Sequence, residues 1–145
     1  MKATMRWIDD VMFLGESGNG HTVVVDGPPS SGGRDIGIRP MELMLLSVAA
    51  CSSFDVVTIL KKARQNITDC IAEVEGERAD AVPAVFTKIH LHFKVSGVDL
   101  SEKQVERAIE LSAEKYCSAS IMLQKAGCRI THDFEIVKSG TPSAS

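Results

Sequence analysis

The sequence has few aromatic residues and no excess of charge of one sign. Aromatic residues make up 5% of the 145 residues, and the formal net charge is −3. The core must therefore be aliphatic, and we expect no nucleic-acid partner, because that function calls for a basic surface. With 44% hydrophobic and 24% charged residues, the composition excludes an intrinsically disordered chain. The length predicts a single domain, residues 1–138, followed by a disordered tail, residues 139–145.

Signals for export and for membrane insertion are also missing. The N-terminal residues reach charged side chains at once, without the apolar stretch typical of a secretory signal. The most hydrophobic segment, residues 41–60, contains Glu42 and Asp55, which a membrane-spanning helix tolerates poorly. We therefore expect a cytoplasmic protein with no membrane partner.

Motifs for phosphate, hydrolase and metal sites are absent as well. The chain has no GxxxxGK[ST], GxGxxG or GxSxG sequence, and none of its four cysteines lies in a CxxC pair. His90 and His92 are two residues apart on a predicted strand and could chelate a metal. No cysteine or carboxylate obviously completes that set, so a solvated strand face is the preferred interpretation. No metal and no organic cofactor is expected.

The hydrophobic pattern predicts the element order βββ-α-ββ-α-α-β. Residues 86–95 alternate between apolar and polar, which is typical of a strand with one wet face. Pro40 opens a segment without glycine or further proline up to Gln65, which predicts a long helix. A further helix is predicted over 113–126. Because the strands come in hairpins, the class is α+β with antiparallel sheets.

The long helix is apolar on nearly every side from Pro40 to Leu60. A helix with that pattern belongs in an interior. A chain of this size has too little other protein to surround a helix of about 26 residues, roughly 39 Å long. The sequence therefore predicts a homodimer in which a second copy covers the helix.

Two of the cysteines have surroundings that suit a reactive thiol. Cys51 lies mid-helix in AACSSFD, where small neighbours leave room beside the sulfur, and Cys117 lies near a helix start, beside Lys115. Both features favour redox chemistry, in which one thiol is oxidised and the other resolves the sulfenic acid. The alternative is that both are buried apolar side chains, as free cysteines often are. Cys70 and Cys128 are interpreted as structural.

The residues that carry Cys51 and Cys117 also resemble a known family. Pro40-Met-Glu-Leu, the following Ala-Ala-Cys51, and Cys117 within AEKYC resemble the OsmC/Ohr superfamily, and most of all its YhfA-like branch. The superfamily comprises osmotically inducible protein C and the organic hydroperoxide resistance proteins. The resemblance implies an intertwined dimer with antiparallel sheets wrapped around long central helices. It also implies reduction of organic hydroperoxides by Cys51, with Cys117 as resolving thiol and an external dithiol as reductant.

The family pattern further implies an acid directly after the proline and an arginine in the N-terminal hairpin. Here the acid is Glu42, one residue later than the family position, which Met41 occupies. The hairpin turn has no arginine, so the candidates are Arg6, Arg34 and Arg39. We assign Arg39, because it lies nearest to the helix start. The predicted site is therefore Cys51, Cys117, Glu42 and Arg39. The rival function is a non-catalytic dimer that binds a small ligand or an electrophile.

Overall fold

The computed structural model describes residues 1–138, so the predicted disordered tail, residues 139–145, lies outside the described residues. The chain forms two compact units, Met1–Met44 and Leu45–Ser145. The α+β class is confirmed, since each unit contains one three-stranded sheet and the helices accompany the second. The expectation of a single domain stays a prediction.

The first unit is an antiparallel sheet with the strands in sequence order. Its strands are β1 (Ala3–Asp9), β2 (Met12–Ser17) and β3 (Thr22–Val25). Every residue of β1 is exposed, including Met5 and Trp7. The three strands at the start of the predicted element order are present. The alternation of Ala3, Met5 and Trp7 predicts a half-buried strand, and this is wrong for β1, because both of its faces are exposed.

The loop after β3 is organised by one buried carboxylate. Asp26 is 2% exposed, and its side chain accepts the backbone N–H groups of Gly27 at 2.8 Å, Arg34 at 3.2 Å and Ile36 at 3.4 Å. The hydrogen bond from Gly27 is the largest of the interactions that lower the pKa of Asp26. The carboxylate thus supplies the acceptors that this irregular backbone needs.

The second unit packs helices on a mixed sheet. In chain order its elements are α1 (Pro40–Lys62, which begins in the first unit), β4 (Asn66–Arg78), β5 (Phe86–Val98), α2 (Glu102–Leu111), a π-helical turn (Ser112–Tyr116), α3 (Ser118–Lys125) and β6 (Arg129–Val137). β4 pairs antiparallel with β5, as predicted. β6, however, runs parallel to β5, so the expectation of purely antiparallel pairing is wrong at this pair. The two helices between them form the long crossover that a parallel pair requires.

The core of the second unit lies between α1, β5 and α2. Its buried members are Val48, Ala49, Val56, Leu60, Leu91, Phe93, Val95, Val105, Ala108 and Ile109. The residues of α1 in this core follow helical spacing, and those of β5 alternate along the strand. Each element therefore contributes a single face.

The other side of α1 is apolar and uncovered within the chain. Phe54 is 74% exposed and Leu46 is 48% exposed. The helix is long and apolar enough to cross a membrane, with a mean hydropathy of 2.0 over an 18-residue window of which 28% is buried. The core helix of a water-soluble assembly has the same length and composition. Exposed apolar surfaces of this size are typical of interaction sites.

The wet face of β5 carries a histidine–carboxylate cluster. Asp133 Oδ1 on β6 lies 2.5 Å from His92 Nδ1 and 3.1 Å from His90 Nε2. The sequence did not reveal a carboxylate beside these two histidines, but the structure places Asp133 within hydrogen-bond distance of both. The parallel register places Asp133 opposite His92.

This cluster predicts a pH dependence of stability. The hydrogen bond to Asp133 raises the pKa of His92, and the same bond lowers the pKa of Asp133. A raised histidine pKa stabilises the fold fully below the pKa of the unfolded chain, about 6.5, and that stabilisation is lost as pH rises through the folded pKa. In urea unfolding, His92→Gln should therefore lose stability relative to wild type at about pH 5.5 and approach wild type at about pH 8.5, by at most about 1 kcal/mol.

The control is His21→Gln, which changes an exposed histidine of the first unit. It should follow wild type at both pH values. Equal stability differences for His92→Gln at both pH values would contradict the assignment.

Candidate redox site

Two cysteines that are distant in sequence meet in the second unit. The Sγ atoms of Cys51 and Cys117 and a carboxylate oxygen of Asp55 all lie within 4.8 Å of one another. Cys117 is fully buried, whereas Cys51 and Asp55 are half-buried. The prediction that Cys51 and Cys117 meet is confirmed, and Cys51 is the thiol that solvent reaches.

A break in the helical backbone places Cys117. The N–H of Cys117 donates to the Ser112 carbonyl at 2.8 Å, which closes the π-helical turn, and Cys117 itself is extended (φ −72°, ψ 98°). Cys117 then serves as the N-terminal cap of α3. The continuous helix predicted over 113–126 is therefore wrong at this point. Such π-helical turns occur frequently at functional sites.

The Cys117 sulfur is surrounded by hydrogen-bond donors. The Ser52 hydroxyl donates to it at 3.2 Å, and the Ser120 N–H donates at 3.4 Å. Burial by itself raises the pKa of Cys117, but the bonds from Ser52, from the side chain and backbone of Ser120, and from Cys51 together bring that pKa below its ordinary value. Cys117 is thus stabilised as a thiolate.

The pKa of Cys51 is shifted in the opposite direction, above the ordinary value. Burial raises the pKa of its thiol, and the neighbouring Cys117 and Asp55 raise it further, while a hydrogen bond from the backbone of Ala119 opposes them. The two neighbouring thiols therefore differ in acidity: the pKa of the buried Cys117 is lowered and that of the half-buried Cys51 is raised.

A group of buried serines closes the inner side of the pair. The Ser112 hydroxyl lies 3.1 Å from Asp55 Oδ2 and 3.4 Å from the Ser52 carbonyl oxygen. Ser52, Ser112 and Ser120 also line a cavity of about 10 Å³, which is too small for a substrate. Of the two sulfurs, only the one on Cys51 lies on the side that is open to solvent.

Several of these residues were missed by sequence reasoning. Asp55 follows Cys51 by one helical turn, so its spacing could have placed it beside the thiol. The three serines offered no such signal, because ordinary helix positions and a π-helical turn bring them together. Lys115, expected beside Cys117, has its Nζ 5.4 Å from the Tyr116 ring centroid.

The other two predicted site residues lie in the first unit. Glu42 Oε2 accepts the backbone N–H of Arg39 at 3.1 Å, so this carboxylate caps the start of α1. The Arg39 guanidinium lies 3.5 Å from Asp35 Oδ1, and both side chains are exposed. The roles assigned to Arg39 and Glu42 in supporting a thiolate stay predictions.

Cys70 and Cys128 lie outside the Cys51–Cys117 pair. Cys128 is buried in the connection between α3 and β6, and Cys70 is half-buried on β4, where it packs against the core. Burial raises the pKa of both thiols. Their interpretation as structural residues stays a prediction, and it makes them suitable for removal in the experiments below.

Comparison with known proteins identifies the family. A family model described as OsmC-like protein matches residues 32–133. The chain belongs to the OsmC-like family. It is 47% identical over 137 residues to Protein YhfA of Escherichia coli K12, an alignment that covers 94% of this chain and 98% of the relative. The resemblance deduced from the two cysteine segments is confirmed.

Solved structures of the OsmC-like fold agree with this placement. A hypothetical protein from Aquifex aeolicus VF5 is 30% identical, with a TM-score of 0.82 and coverage of 95% of this chain and 96% of that one. The organic hydroperoxide resistance protein OhrB of Bacillus subtilis is 18% identical, with a TM-score of 0.60 and coverage of 92% and 96%. This second likeness establishes the fold alone.

The hydrogen bond from Ser52 gives a testable prediction. Ser52→Ala removes a donor to the buried thiolate, and a bond to a charged group contributes about 1.5–3 kcal/mol. The pKa of Cys117 should therefore rise, and the thiolate absorbance of the reduced protein should develop at higher pH. The measurement is best made with Cys70→Ala and Cys128→Ala present, so that only the pair titrates.

Ser53→Ala is the matched control, since it alters the adjacent half-buried serine. It should leave the titration curve unchanged. An unchanged curve for Ser52→Ala would show that the hydroxyl does not support the thiolate.

Proposed function

We propose that the protein reduces organic hydroperoxides with the Cys51–Cys117 pair and is then regenerated by an external dithiol. The observation that carries the proposal is the proximity of the two sulfurs, within 4.8 Å, with the accessible one on Cys51 and the thiolate-stabilising donors on Cys117. Two thiols at this distance can form a disulfide once small side-chain movements bring the sulfurs together. The reaction proposed here requires no metal and no organic cofactor.

In the first step, Cys117 can accept the proton of the Cys51 thiol and later donate it to the leaving alkoxide. Cys117 takes the proton of the Cys51 thiol through their shared hydrogen bond, which leaves Cys51 as the nucleophilic thiolate. Its sulfur attacks the terminal peroxide oxygen, the O–O bond breaks, and Cys51 becomes a sulfenic acid. The alkoxide released takes the proton from Cys117 and leaves as an alcohol.

The second step restores a stable product. Cys117, again a thiolate, attacks the Cys51 sulfur and expels hydroxide, which takes a proton from solvent to become water. One hydroperoxide is thereby reduced to an alcohol and water, and two cysteines are oxidised to one disulfide. An external dithiol reduces that disulfide by thiol exchange.

We infer weak activity for this chain. Asp55 and burial both favour the protonated form of Cys51, so only a small fraction of the accessible thiol is ionised near neutral pH. OhrB of Bacillus subtilis, which shares the fold, is named an organic hydroperoxide resistance protein, and that name supports hydroperoxides as the substrates proposed here. The same protonated Cys51 favours the second candidate function, a non-catalytic member that binds a small ligand or reacts once with an electrophile.

We also propose that the protein works as a homodimer in the cytoplasm. The uncovered apolar residues of α1, among them Leu46 and Phe54, form a surface of the kind that obligate dimers bury. A second copy offers the same helix, so the surface can cover itself around a two-fold axis. Asp55 and the terminal Lys61 and Lys62 on α1 suit this environment better than a lipid one.

Turnover separates the two candidate functions. The protein with Cys70→Ala and Cys128→Ala should consume an alkyl hydroperoxide continuously while a dithiol is supplied. Adding Cys51→Ser should abolish consumption. Without a dithiol, adding Cys117→Ser should leave Cys51 as a sulfenic acid that a dimedone probe traps, whereas the parent should form the disulfide. Consumption of no peroxide at all by the reduced protein would favour the non-catalytic function.

Arg39→Ala in the same background tests the predicted contribution of that guanidinium. If Arg39 stabilises the Cys51 thiolate, the rate should fall by about tenfold or more, since an adjacent cation lowers a thiol pKa by a unit or more. Lys2→Ala, which removes another exposed cation of the first unit, should keep the full rate. A full rate for Arg39→Ala would assign activation of the thiol to the donors of the second unit.

The dimer is tested by sedimentation equilibrium. A dimer should sediment at about twice the 15.7 kDa chain mass. Phe54→Glu should weaken association because it places a charge on the apolar surface. Val82→Glu, which changes an exposed valine in the loop before β5, should not. A wild-type mass of one chain would contradict the proposal.

A further inference from the structure

The three side chains that meet in the redox site are also potential metal ligands. Cys51, Asp55 and Cys117 each present one ligand atom, and these atoms lie within 4.8 Å of one another. In a tetrahedral zinc site with Zn–S bonds of about 2.3 Å, two sulfur ligands lie roughly 3.8 Å apart. The side chains therefore need to close by little more than about 1 Å to surround one ion.

We propose that the reduced protein binds one Zn²⁺-like cation per chain through Cys51 Sγ, Cys117 Sγ and the Asp55 carboxylate. Two thiolates and one carboxylate select a borderline or soft cation over Mg²⁺ or Ca²⁺, which prefer oxygen ligands alone. Three protein ligands leave one tetrahedral position for an exogenous ligand. That position faces the half-exposed side of the cluster, because the serines close the other side.

Neighbouring hydrogen-bond partners hold two of the three ligand side chains, Asp55 and Cys117, in place. The Ser112 hydroxyl lies 3.1 Å from Asp55 Oδ2, and the Ser52 hydroxyl and Ser120 N–H hold Cys117. Such partners fix ligand direction, and losing one costs about 10–100-fold in metal affinity. Cys51 and Asp55 also share one face of α1, so a single rigid helix carries two of the three ligands.

Cation binding and peroxide reduction place different demands on the two cysteines. Metal binding uses the reduced thiols and requires no peroxide, whereas disulfide formation removes both sulfur ligands. A bound cation and a hydroperoxide would therefore compete for the same pair. Binding can be measured on protein that has no peroxidase activity, and turnover can be measured with a chelator present, so each claim can fail without the other.

The test uses Co²⁺ and Zn²⁺ with reduced protein carrying Cys70→Ala and Cys128→Ala, under anaerobic conditions. Co²⁺ should produce thiolate-to-metal charge-transfer absorption that saturates at one ion per chain and disappears when Zn²⁺ displaces it. X-ray absorption of the zinc form should show two sulfur ligands at about 2.3 Å and the remainder oxygen at about 2.0–2.2 Å.

Asp55→Asn is the decisive variant, since it keeps the shape and the acceptor for Ser112 but removes the charge. Its Zn²⁺ affinity should fall by more than tenfold, and Asp69→Asn, an exposed aspartate on β4, should not change it. Cys51→Ser removes one of the two thiolate ligands, so it should lower the charge-transfer intensity per bound Co²⁺ by at least half and weaken the binding of Zn²⁺. The proposal is overturned if reduced protein binds no Zn²⁺, or if Asp55→Asn or Cys51→Ser binds it as tightly as the parent.

Discussion

The hydrogen bond from Ser52 to Cys117 is the interaction on which the site depends. It joins the middle of α1 to the start of α3 across 65 residues of sequence, inside the core of the second unit. A buried thiolate without donors would be costly, because ionised groups lose their hydration on burial. The donors of α1 and α3 replace that hydration. Packing of α1 against β5 and α2 is what holds them in place.

The arrangement divides exposure and charge between two thiols. A single cysteine at this depth would be inaccessible if fully buried and protonated if half-buried. The pair avoids that conflict, since Cys51 is half-exposed while the hydrogen bonds to the buried Cys117 bring its pKa below the ordinary value. The same closeness that permits disulfide formation also creates a ligand set for a cation. Both proposed activities thus follow from one geometric constraint.

Much of the fold could be predicted from periodicity. The alternation in 86–95 and the uninterrupted apolar helix after Pro40 gave β5 and α1 correctly, because their burial follows one face of each element. The direction of β6 could not be predicted in this way, since strand alternation is the same for parallel and antiparallel pairs. The π-helical turn before Cys117 was also missed, because its extra residue is specified by packing and not by local sequence preference.

The pair of cysteines was recognisable from sequence, but its electrostatics was not. Whether Cys51 or Cys117 is ionised depends on which sulfur meets Ser52 and the N–H groups at the start of α3, and only the tertiary structure determines that. Arg39 and Glu42 illustrate the converse: their residue types matched an activating role, while the structure gives each a local partner near the start of α1.

The central claim, that Cys51 and Cys117 form one two-electron redox unit, is tested most directly by peptide mapping. Fully reduced wild-type protein is treated with one equivalent of an alkyl hydroperoxide, its remaining thiols are alkylated, and the digest is analysed by mass spectrometry. The account predicts a Cys51–Cys117 disulfide within one chain, with Cys70 and Cys128 alkylated. Recovery of Cys51 as a sulfinic acid with Cys117 alkylated, or of a disulfide between two chains, would contradict it.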